Sequence, residues 1–190
     1  MRDARTRMIE SAQRLLSRRG YQATSFSAVL ADSEAPRGSI YHHFPDGKDQ
    51  LIAAAIEQVG AQMRDAILSV SGKSPQQVTK RFLSIWRQLL EVSDYESGCA
   101  IVAVTVSAES PELRQLSAAI FRENISVIAD ALHAGGLRKS DAKEFSYLLV
   151  AAVEGAVVLS RAQQSLEPFD IVAAQMRRQA RRLTNATVSP

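Results

Sequence analysis

Apolar residues recur through most of the chain every three or four positions, the spacing that puts side chains on one face of an α-helix. Gly20, a natural helix stop, follows the first such stripe, which comprises Met8, Ile9, Ala12, Leu15 and Leu16. A short second stripe lies between residues 25 and 30, and longer ones cover most of the chain after residue 48. The pattern predicts a chain built almost entirely of helices.

Capping residues and helix breakers predict two short helices after the first one. Ser25 can cap the second helix, and residues 33–35 interrupt it. Pro36 is well placed in the first turn of a third helix that runs to about Phe44. Residues 45–47, Pro-Asp-Gly, then break the chain before a long fourth helix.

Similar signals bound the longer helices. Ser74-Pro75 begins the fifth helix, and Ser110-Pro111 begins another that ends at Gly135-Gly136. Ser140 is a candidate cap for the next helix, and Pro168 opens the last one. A serine oxygen can accept a hydrogen bond from a free N–H group of the first turn, whereas proline has no N–H to satisfy.

Residues 101–106 form a β-branched run that intrinsic propensity assigns to a strand. No other segment has a strand pattern, so a strand here would find no partner for its backbone hydrogen bonds. A buried helix is the better interpretation of this run. The predicted fold class is therefore all-α.

Composition indicates a globular protein. The chain has 190 residues, 46% of them hydrophobic and 23% charged, which is enough to bury a core. Cys99 is the only cysteine, so no internal disulfide can form, and a reducing compartment is favoured. The N-terminus has no apolar signal stretch, and the longest apolar block, residues 145–159, is interrupted by Ser146 and Glu154 and is too short for a bilayer. We therefore expect a cytoplasmic protein without a membrane partner.

The formal net charge of +3 is unevenly distributed. Arg2, Arg5 and Arg7 crowd the N-terminus, while residues 171–190 carry arginines and no acid. The arginines near the C-terminus lie at helical spacing, which is more typical of a solvated helix end than of a ligand site. They are Arg177, Arg178, Arg181 and Arg182. So small a net charge does not by itself identify a nucleic-acid binder.

Residues 24–48 read TSFSAVLADSEAPRGSIYHHFPDGK and match a helix-turn-helix, in which two short helices flank a tight turn. A recognition helix presents hydrogen-bond donors to DNA on one face and anchors itself with apolar groups on the other. Ile40 and Phe44, four residues apart, can provide that anchor. We expect them to pack on Phe26 and Leu30 of the preceding helix.

The donors left on the other face are the candidate DNA contacts. Arg37 can bond to a guanine through two N–H groups, and Gly38 allows close approach of the backbone. Hydroxyl, imidazole and ammonium groups nearby suit phosphate contacts that fix the register on DNA. The predicted DNA-binding residues are Thr24, Ser25, Ser27, Arg37, Gly38, Ser39, Tyr41, His42, His43 and Lys48.

This region resembles the TetR family of bacterial transcriptional regulators. The similarity is strongest over residues 5–52. It is carried by Gly20-Tyr21-x-x-Thr24-Ser25, by Gly38-Ser39-Ile40-Tyr41-His42-His43-Phe44 and by Lys48-x-x-Leu51.

Two features depart from the usual pattern of that family. Many members have glycine in the turn and serine at the third-helix cap, where this chain has Glu34 and Pro36. The spacing from Phe44 to Lys48 is also one residue longer than usual. In this spacing, and in Gly98-Cys99 and Glu109 downstream, the chain resembles a subgroup of TetR-type repressors that respond to flavonoid-like or drug-like aromatic compounds.

The resemblance implies a helix-turn-helix DNA-binding domain at residues 1–47 and an effector-binding and dimerisation domain at residues 48–190. It implies a homodimeric regulator, most simply a repressor, that binds palindromic double-stranded operator DNA. A small hydrophobic or aromatic effector would release it, and no cofactor or metal is implied. Activation of transcription is the alternative to repression, because the sign of regulation depends on where the operator lies relative to the promoter.

An apolar helix over residues 145–159 agrees with the implied dimer, since one face can meet the core and the other a partner subunit. Small residues would let two such helices approach closely; they are Ala151, Ala152, Gly155 and Ala156. The alternative is a fully buried central helix in a monomer. The predicted dimer-interface residues are Phe145, Leu148, Ala152, Gly155, Ala156, Leu159 and Met176.

The implied effector site requires apolar lining with a few polar groups. Trp86 is the best aromatic candidate, and Glu154 is a good polar one because an acid in an apolar helix is costly unless paired. Apolar and aromatic residues at helical spacing are also typical of an ordinary hydrophobic core. The predicted effector-binding residues are Phe82, Trp86, Leu89, Val104, Thr105, Phe121, Asn124, Ile125, Tyr147 and Glu154.

An enzyme is the weaker hypothesis. His42 and His43 are adjacent, so their side chains diverge on a helix, and no base can be named for Cys99. No metalloprotease, nucleophile-elbow, phosphate-loop or paired-cysteine motif occurs. A ligand-sequestering protein with a vestigial DNA-binding domain is the other alternative, and the donors at Arg37 and Lys48 argue against it. A nonspecific nucleoid protein would carry more positive charge.

Overall fold

The structure, a computed structural model, describes residues 3–188, with side chains as far as residue 186. This part of the chain contains nine α-helices and no β-strand, which confirms the all-α prediction. The helices are α1 Ala4–Ala23, α2 Phe26–Ser33, α3 Ser39–His43, α4 Lys48–Leu68, α5 Pro75–Val92, α6 Ala100–Ser107, α7 Pro111–Ala134, α8 Lys139–Gln163 and α9 Glu167–Val188.

The described chain groups into two compact units. The first takes in the residues up to Ala61 together with Gly98–Ile120. The second takes in Gln62–Ser97 together with the residues from Phe121 onward. The chain therefore passes from one unit to the other inside α4, between α5 and α6, and inside α7. The domain boundary predicted between residues 47 and 48, at the start of α4, stays a prediction.

In the first unit, α1 packs against α2, α3 and α6. Asp3 caps α1 by accepting a hydrogen bond from the Thr6 N–H at 2.7 Å. Gly20, the predicted stop, interrupts the regular helix with a φ of 79°, a conformation that a glycine adopts without strain. The Gly98 N–H donates to the Ser17 carbonyl at 2.8 Å and so ties the segment before α6 to α1.

The β-branched run forms α6, as the sequence predicted, although only one face is buried. Ile101 and Val104 are buried on that face, whereas Val106 is 74% exposed. Cys99, which is half-buried, caps the helix because its thiol accepts a hydrogen bond from the Val102 N–H at 3.4 Å. Burial of one face and a capped end thus override the strand propensity of the run.

In the second unit, α5 packs against α8 and α9, which also pack against each other. The predicted start of α5 is confirmed by a reciprocal capping box. The Gln77 N–H donates to Ser74 Oγ at 3.3 Å, and the Ser74 N–H donates to Gln77 Oε1 at 3.1 Å. The predicted start of α7 is also confirmed, since that helix begins at Pro111.

The start of α8 differs from the prediction. The helix begins at Lys139, so Ser140 lies inside it and does not cap it. Arg138 occupies the cap position, and its guanidinium donates two hydrogen bonds to Asp141, at 2.7 and 3.0 Å. This ion pair spans the first turn, which explains why the helix starts earlier than a serine cap would allow.

α8 is longer than the apolar block that the sequence singled out. Among the described residues it is the one helix long and apolar enough to cross a membrane by length and composition. However, Phe145, Leu149 and Val153 are buried within the chain. The core helix of a globular protein gives the same pattern.

Gly135, just after α7, lies against the segment that precedes α5. A Cβ atom on Gly135 would be 2.3 Å from the Lys73 carbonyl oxygen. We expect Gly135→Ala to lower the free energy of unfolding by about 1–3 kcal/mol, because the backbone must shift to admit the methyl group. Denaturant titration would measure the change.

The control for this prediction is Gly38→Ala, since Gly38 has helical φ and ψ angles and open space around its Cα. We expect that change to leave the free energy of unfolding unchanged or to raise it by less than about 1 kcal/mol. If Gly135→Ala is as stable as the wild type, the close backbone contact is wrong.

Candidate functional site

The turn between α2 and α3 runs from Glu34 to Gly38. Glu34, just after α2, has a φ of 53° and a ψ of 33°, the left-handed conformation in which glycine is favoured. Glu34 therefore occupies a position at which glycine, the residue found there in many family members, would be less strained. Pro36 is followed by a tight turn rather than by the helix predicted there, because the Ser39 N–H donates to the Pro36 carbonyl at 3.0 Å. As a result α3 starts at Ser39 and has five residues.

The anchor of α3 consists of the predicted residues, but its main support is α1. Ile40 and Phe44 are fully buried, and α3 packs against α1. The Arg5 guanidinium lies 5.5 Å from the centre of the Phe44 ring. The expected partner Phe26 instead meets Tyr41, edge to face, with ring centroids 5.7 Å apart.

Most predicted DNA contacts are accessible to a partner. The exposed ones are Ser27, Arg37, Gly38, Tyr41 and His42, and the half-buried ones are Ser25, Ser39, His43 and Lys48. Ser25 also holds the fold, since its Oγ accepts a hydrogen bond from the Ala28 N–H at 3.2 Å and shares another with Ser27 Oγ at 2.9 Å. Residues around the turn therefore present donors outward while they cap and close the helices.

Thr24 is the exception among these residues. Its side chain is 1% exposed, and its hydroxyl donates to the Gly20 carbonyl at 2.9 Å. The hydroxyl thus closes the end of α1, and its burial keeps it from the surface that a DNA contact requires.

Three side chains join the end of α1 to the start of α4, and we call this cluster the Tyr21 clamp. The Tyr21 hydroxyl donates to Asp49 Oδ1 at 2.7 Å, and Lys48 Nζ donates to the Tyr21 carbonyl at 2.7 Å. The same ammonium lies 3.8 Å from the centre of the Tyr21 ring. Two of its N–H groups remain for another acceptor. The sequence analysis assigned Lys48 to phosphate and missed this structural contact.

The Tyr21 clamp changes the ionisation of its members. The pKa of Tyr21 is raised to about 12, mainly because the hydroxyl is partly buried. The hydrogen bond to Asp49 and the negative charge of that carboxylate raise it further. Burial lowers the pKa of Lys48. At neutral pH the phenol is therefore protonated and able to donate to the carboxylate.

The arginines of α1 have structural roles as well. Arg7 Nε donates to the Ser33 carbonyl at 3.2 Å, at the end of α2. Arg14 and Asp32 form an exposed ion pair at 2.6 Å. Arg2, predicted to belong to the basic N-terminal group, lies outside the described residues. These contacts hold α2 on α1 beside the turn.

The predicted effector residues differ in burial and are divided between the two units. Val104 and Thr105 lie on α6 in the first unit, and the other eight lie in the second. The buried ones are Phe82, Trp86, Val104 and Asn124. The half-buried ones are Leu89, Phe121, Ile125 and Glu154, and the exposed ones are Thr105 and Tyr147.

Among the described residues of the second unit, two buried side-chain polar atoms have no protein partner. They are Nε1 of Trp86, a residue 7% exposed, and Oδ1 of Asn124, a residue 8% exposed. Leaving such an atom unpaired in a protein interior costs about 1–3 kcal/mol. Trp86 packs edge to face with Phe82, with ring centroids 6.4 Å apart.

The predicted dimer residues fall into two groups. Phe145, Ala156 and Met176 are buried within the chain, so they serve its own core and not an outer surface. Ala152 is half-buried. The exposed residues form a stripe along α8 that includes one position absent from the prediction, Val158; the stripe is Leu148, Ala151, Gly155, Val158 and Leu159.

Two family models match the chain. The model for bacterial regulatory proteins of the tetR family matches residues 8–55, which span most of α1, all of α2 and α3, and the start of α4. The model for the C-terminal domain of LmrA/YxaF-like transcriptional regulators matches residues 75–175. The chain belongs to the TetR family. The resemblance inferred from the motifs is thereby confirmed, whereas a response to flavonoid-like or drug-like compounds stays a prediction.

Relatives of this TetR-family chain cover nearly its whole length. A helix-turn-helix transcriptional regulator of Mycobacterium tuberculosis H37Rv is 34% identical over 93% of the chain and 94% of that protein. The regulator LmrA of Bacillus subtilis is 30% identical over 88% and 91%. A solved TetR regulatory protein from Rhodobacter sphaeroides has the same fold, with a TM-score of 0.81, 17% identity and coverage of 93% and 98%.

These similarities fix the class of activity. The matching families and relatives are DNA-binding transcriptional regulators and not enzymes. No group of three or more histidine, cysteine or acidic residues suited to a metal ion occurs in the part of the chain that the structure describes.

Removing the Tyr21 hydroxyl tests the Tyr21 clamp. We expect Tyr21→Phe to lower the free energy of unfolding by about 1 kcal/mol at neutral pH, because the hydrogen bond to Asp49 is lost. The pKa of Tyr21 is about 12 in the folded chain and about 10 for an ordinary tyrosine. The wild-type advantage should therefore hold below pH 10 and disappear as the pH rises to 12.

Denaturant unfolding of both proteins across this pH range would measure the difference. Tyr147→Phe, at an exposed tyrosine, is the matched control and should follow the wild type. A constant difference between wild type and Tyr21→Phe from neutral pH to 12 would contradict the raised pKa of Tyr21.

Proposed function

We propose that this chain is a dimeric repressor that binds a palindromic operator and is released by a small hydrophobic effector. It would act in the bacterial cytoplasm, where the operator DNA lies. The observation that carries the proposal is the two-sided α3. Ile40 and Phe44 are buried on one side, while Tyr41 and His42 are exposed on the other and Arg37 is exposed in the turn before it.

The exposed donors suit recognition of the major groove. Arg37 reads guanine through O6 and N7, with Gly38 allowing the backbone close to the DNA. Tyr41, His42 and Ser39 lie on the same short helix and contact neighbouring bases or phosphates. The remaining phosphate contacts come from Ser25, Ser27, His43 and Lys48.

A dimer follows from the need to cover an apolar surface. The exposed stripe on α8, from Leu148 to Leu159, is apolar at every position, which favours burial against another protein. A second copy of the chain would bury it symmetrically and present two copies of α3. Their spacing on DNA would be about 34–36 Å, one turn of the duplex.

Release by an effector requires that it bind one arrangement of the helices better than another. α4 is the element suited to carry the change, because it starts at Lys48, directly after the α3 turn, and ends at Leu68. Arg64, near its other end, pairs with Glu123 of α7 at 3.0 Å. An effector bound in the second unit would shift the population towards an arrangement with a different spacing of the recognition helices.

Selection of random DNA duplexes on the purified protein tests the DNA-binding part of the proposal. We expect a palindrome whose half-sites lie about one helical turn apart. Arg37→Ala should weaken binding to that sequence by about 1–3 kcal/mol and relax the preference at one base pair.

Arg122→Ala, at an exposed arginine of α7, is the matched control and should bind as the wild type does. Unchanged specific affinity in Arg37→Ala would remove Arg37 from the base contacts. Recovery of no sequence motif would favour the alternative, a ligand-sequestering protein.

Two valine substitutions test the proposed dimer face. Val158 lies on the α8 stripe and is 58% exposed, while Val92, at the end of α5, is 80% exposed and lies outside the stripe. We expect Val158→Arg to give a monomer that binds the operator at least about tenfold more weakly, because burying the charge costs several kcal/mol. Val92→Arg should stay dimeric. Light scattering gives the mass, and a dimeric Val158→Arg protein would show that another surface forms the dimer.

A further inference from the structure

The arginines near the C-terminus form an exposed basic surface, which we call the α9 basic face; its residues are Arg177, Arg178, Arg181 and Arg182. Arg181 follows Arg177 by four residues, and Arg182 follows Arg178 by four, so the side chains project from one side of the helix. The opposite side carries the buried residue Ala180. α9 therefore covers the core with one side and presents only charge on the other over these two turns.

The α9 basic face does not lie at the helix end, where the sequence analysis placed it. α9 continues to Val188, and its last turn contains no basic residue. A cation stabilises the partial negative charge of a helix C-terminus only when it lies within about the last turn. Compensation of the helix dipole therefore does not account for these arginines.

No acid neutralises the α9 basic face. The sequence has no aspartate or glutamate from residue 171 to residue 190. None of the four arginines forms an ion pair with a carboxylate in the part of the chain that the structure describes. Arg178 Nε donates to Gln175 Oε1 at 3.3 Å, and that amide is neutral. The guanidinium groups therefore keep their charge and most of their donors for an external anion.

The density of positive charge on this face matches the density of negative charge on a DNA duplex. From Arg177 to Arg182 the helix rises about 7.5 Å, which gives about one positive charge per 2 Å. A DNA duplex carries about one negative charge per 1.7 Å of its axis. A guanidinium group also suits phosphate in geometry, because two parallel N–H groups can donate to two phosphate oxygens.

An acidic protein or an anionic membrane fits this face less well than DNA does. A protein interface has an apolar core, and a helix that lies on a membrane inserts an apolar face. Between residues 177 and 182 no apolar side chain is exposed, because Ala180 is buried within the chain. Contacts to the phosphates of a duplex need charge and hydrogen-bond donors only.

We propose that the α9 basic face binds the phosphate backbone of duplex DNA independently of base sequence. Its guanidinium groups pair with phosphates and release the counterions that those phosphates hold in solution. The contact goes beyond the proposed operator recognition through α3, since it uses other residues and reads no bases. It gives the regulator a second attachment to DNA that weakens as the salt concentration rises.

The test uses the whole chain and a fluorescent duplex that lacks the selected operator. A glutamine variant removes the four charges and keeps residues that favour a helix; its substitutions are Arg177→Gln, Arg178→Gln, Arg181→Gln and Arg182→Gln. Fluorescence anisotropy measures binding between about 50 and 200 mM salt. We expect the glutamine variant to bind at least about tenfold more weakly at the lowest salt concentration. The slope of log affinity against log salt should shrink by at least about 2, since each lost phosphate contact removes about 0.9.

Two control variants separate the α9 basic face from the total charge. The scattered variant removes four exposed positive charges elsewhere in the second unit, by Lys73→Gln, Lys80→Gln, Arg122→Gln and Lys143→Gln. The lysine variant replaces the four α9 arginines with lysine and keeps their charge. We expect both to retain a salt slope within about 1 of the wild-type value. If either control loses as much slope as the glutamine variant, the proposal is wrong.

The other possible partners of the face are tested by competition and by mass. Unlabelled duplex should displace the fluorescent duplex better than poly-L-glutamate or vesicles of phosphatidylcholine and phosphatidylserine at the same concentration of negative charge. Stronger competition by either of these would overturn the proposal. In light scattering the glutamine variant should have the wild-type mass, since a lower mass would show that a second copy of the chain covers the face.

Selection of random duplexes separates this proposal from the proposed function. The glutamine variant should select the same palindrome as the wild type, because α3 is unchanged. If the palindrome is recovered but the two proteins have equal salt slopes, the α9 contact fails and the proposed function stands. If no palindrome is recovered but the glutamine variant still loses affinity for DNA, the proposed function fails and the α9 contact stands.

Discussion

The proposed DNA-binding surface depends on the burial of two side chains, Ile40 and Phe44, beside α1. α3 has only five residues, far fewer than a helix needs to persist alone in water. Its conformation is therefore set by packing and by the turn that precedes it. The Tyr21 clamp extends the same constraint to α4, because it joins the end of α1 to the residues that follow the α3 turn.

Local signals made much of the fold predictable. Ser74 and Pro111 lie where the sequence predicted α5 and α7 to begin, since caps and prolines act within one turn of the chain. The strand propensity of residues 101–106 was outweighed because residues 3–188 contain no partner strand, and the helix formed. At Ser140 the prediction failed, because an ion pair between Arg138 and Asp141 competes with the serine cap in the same turn.

The site was less predictable, because an apolar helix does not reveal which of its faces its own chain will cover. Phe145 and Ala156 proved to be core residues, whereas Val158 is exposed. Trp86 and Asn124 could be chosen by residue type, but only the packed structure shows that their polar atoms lack partners. Likewise, the contact from Lys48 to Tyr21 spans 27 residues and carries no local signature.

The double use of Lys48 has a genetic consequence. Its ammonium supports the carbonyl of Tyr21 and, under the proposed contacts, also binds a phosphate. In a screen for loss of repression, substitutions at this position would reduce both the amount of folded regulator and the affinity of each folded molecule for operator DNA. Substitutions of the exposed Arg37, under the same proposed contacts, would reduce the affinity alone. Raised expression of the regulator would therefore compensate for the two classes of mutant to different extents.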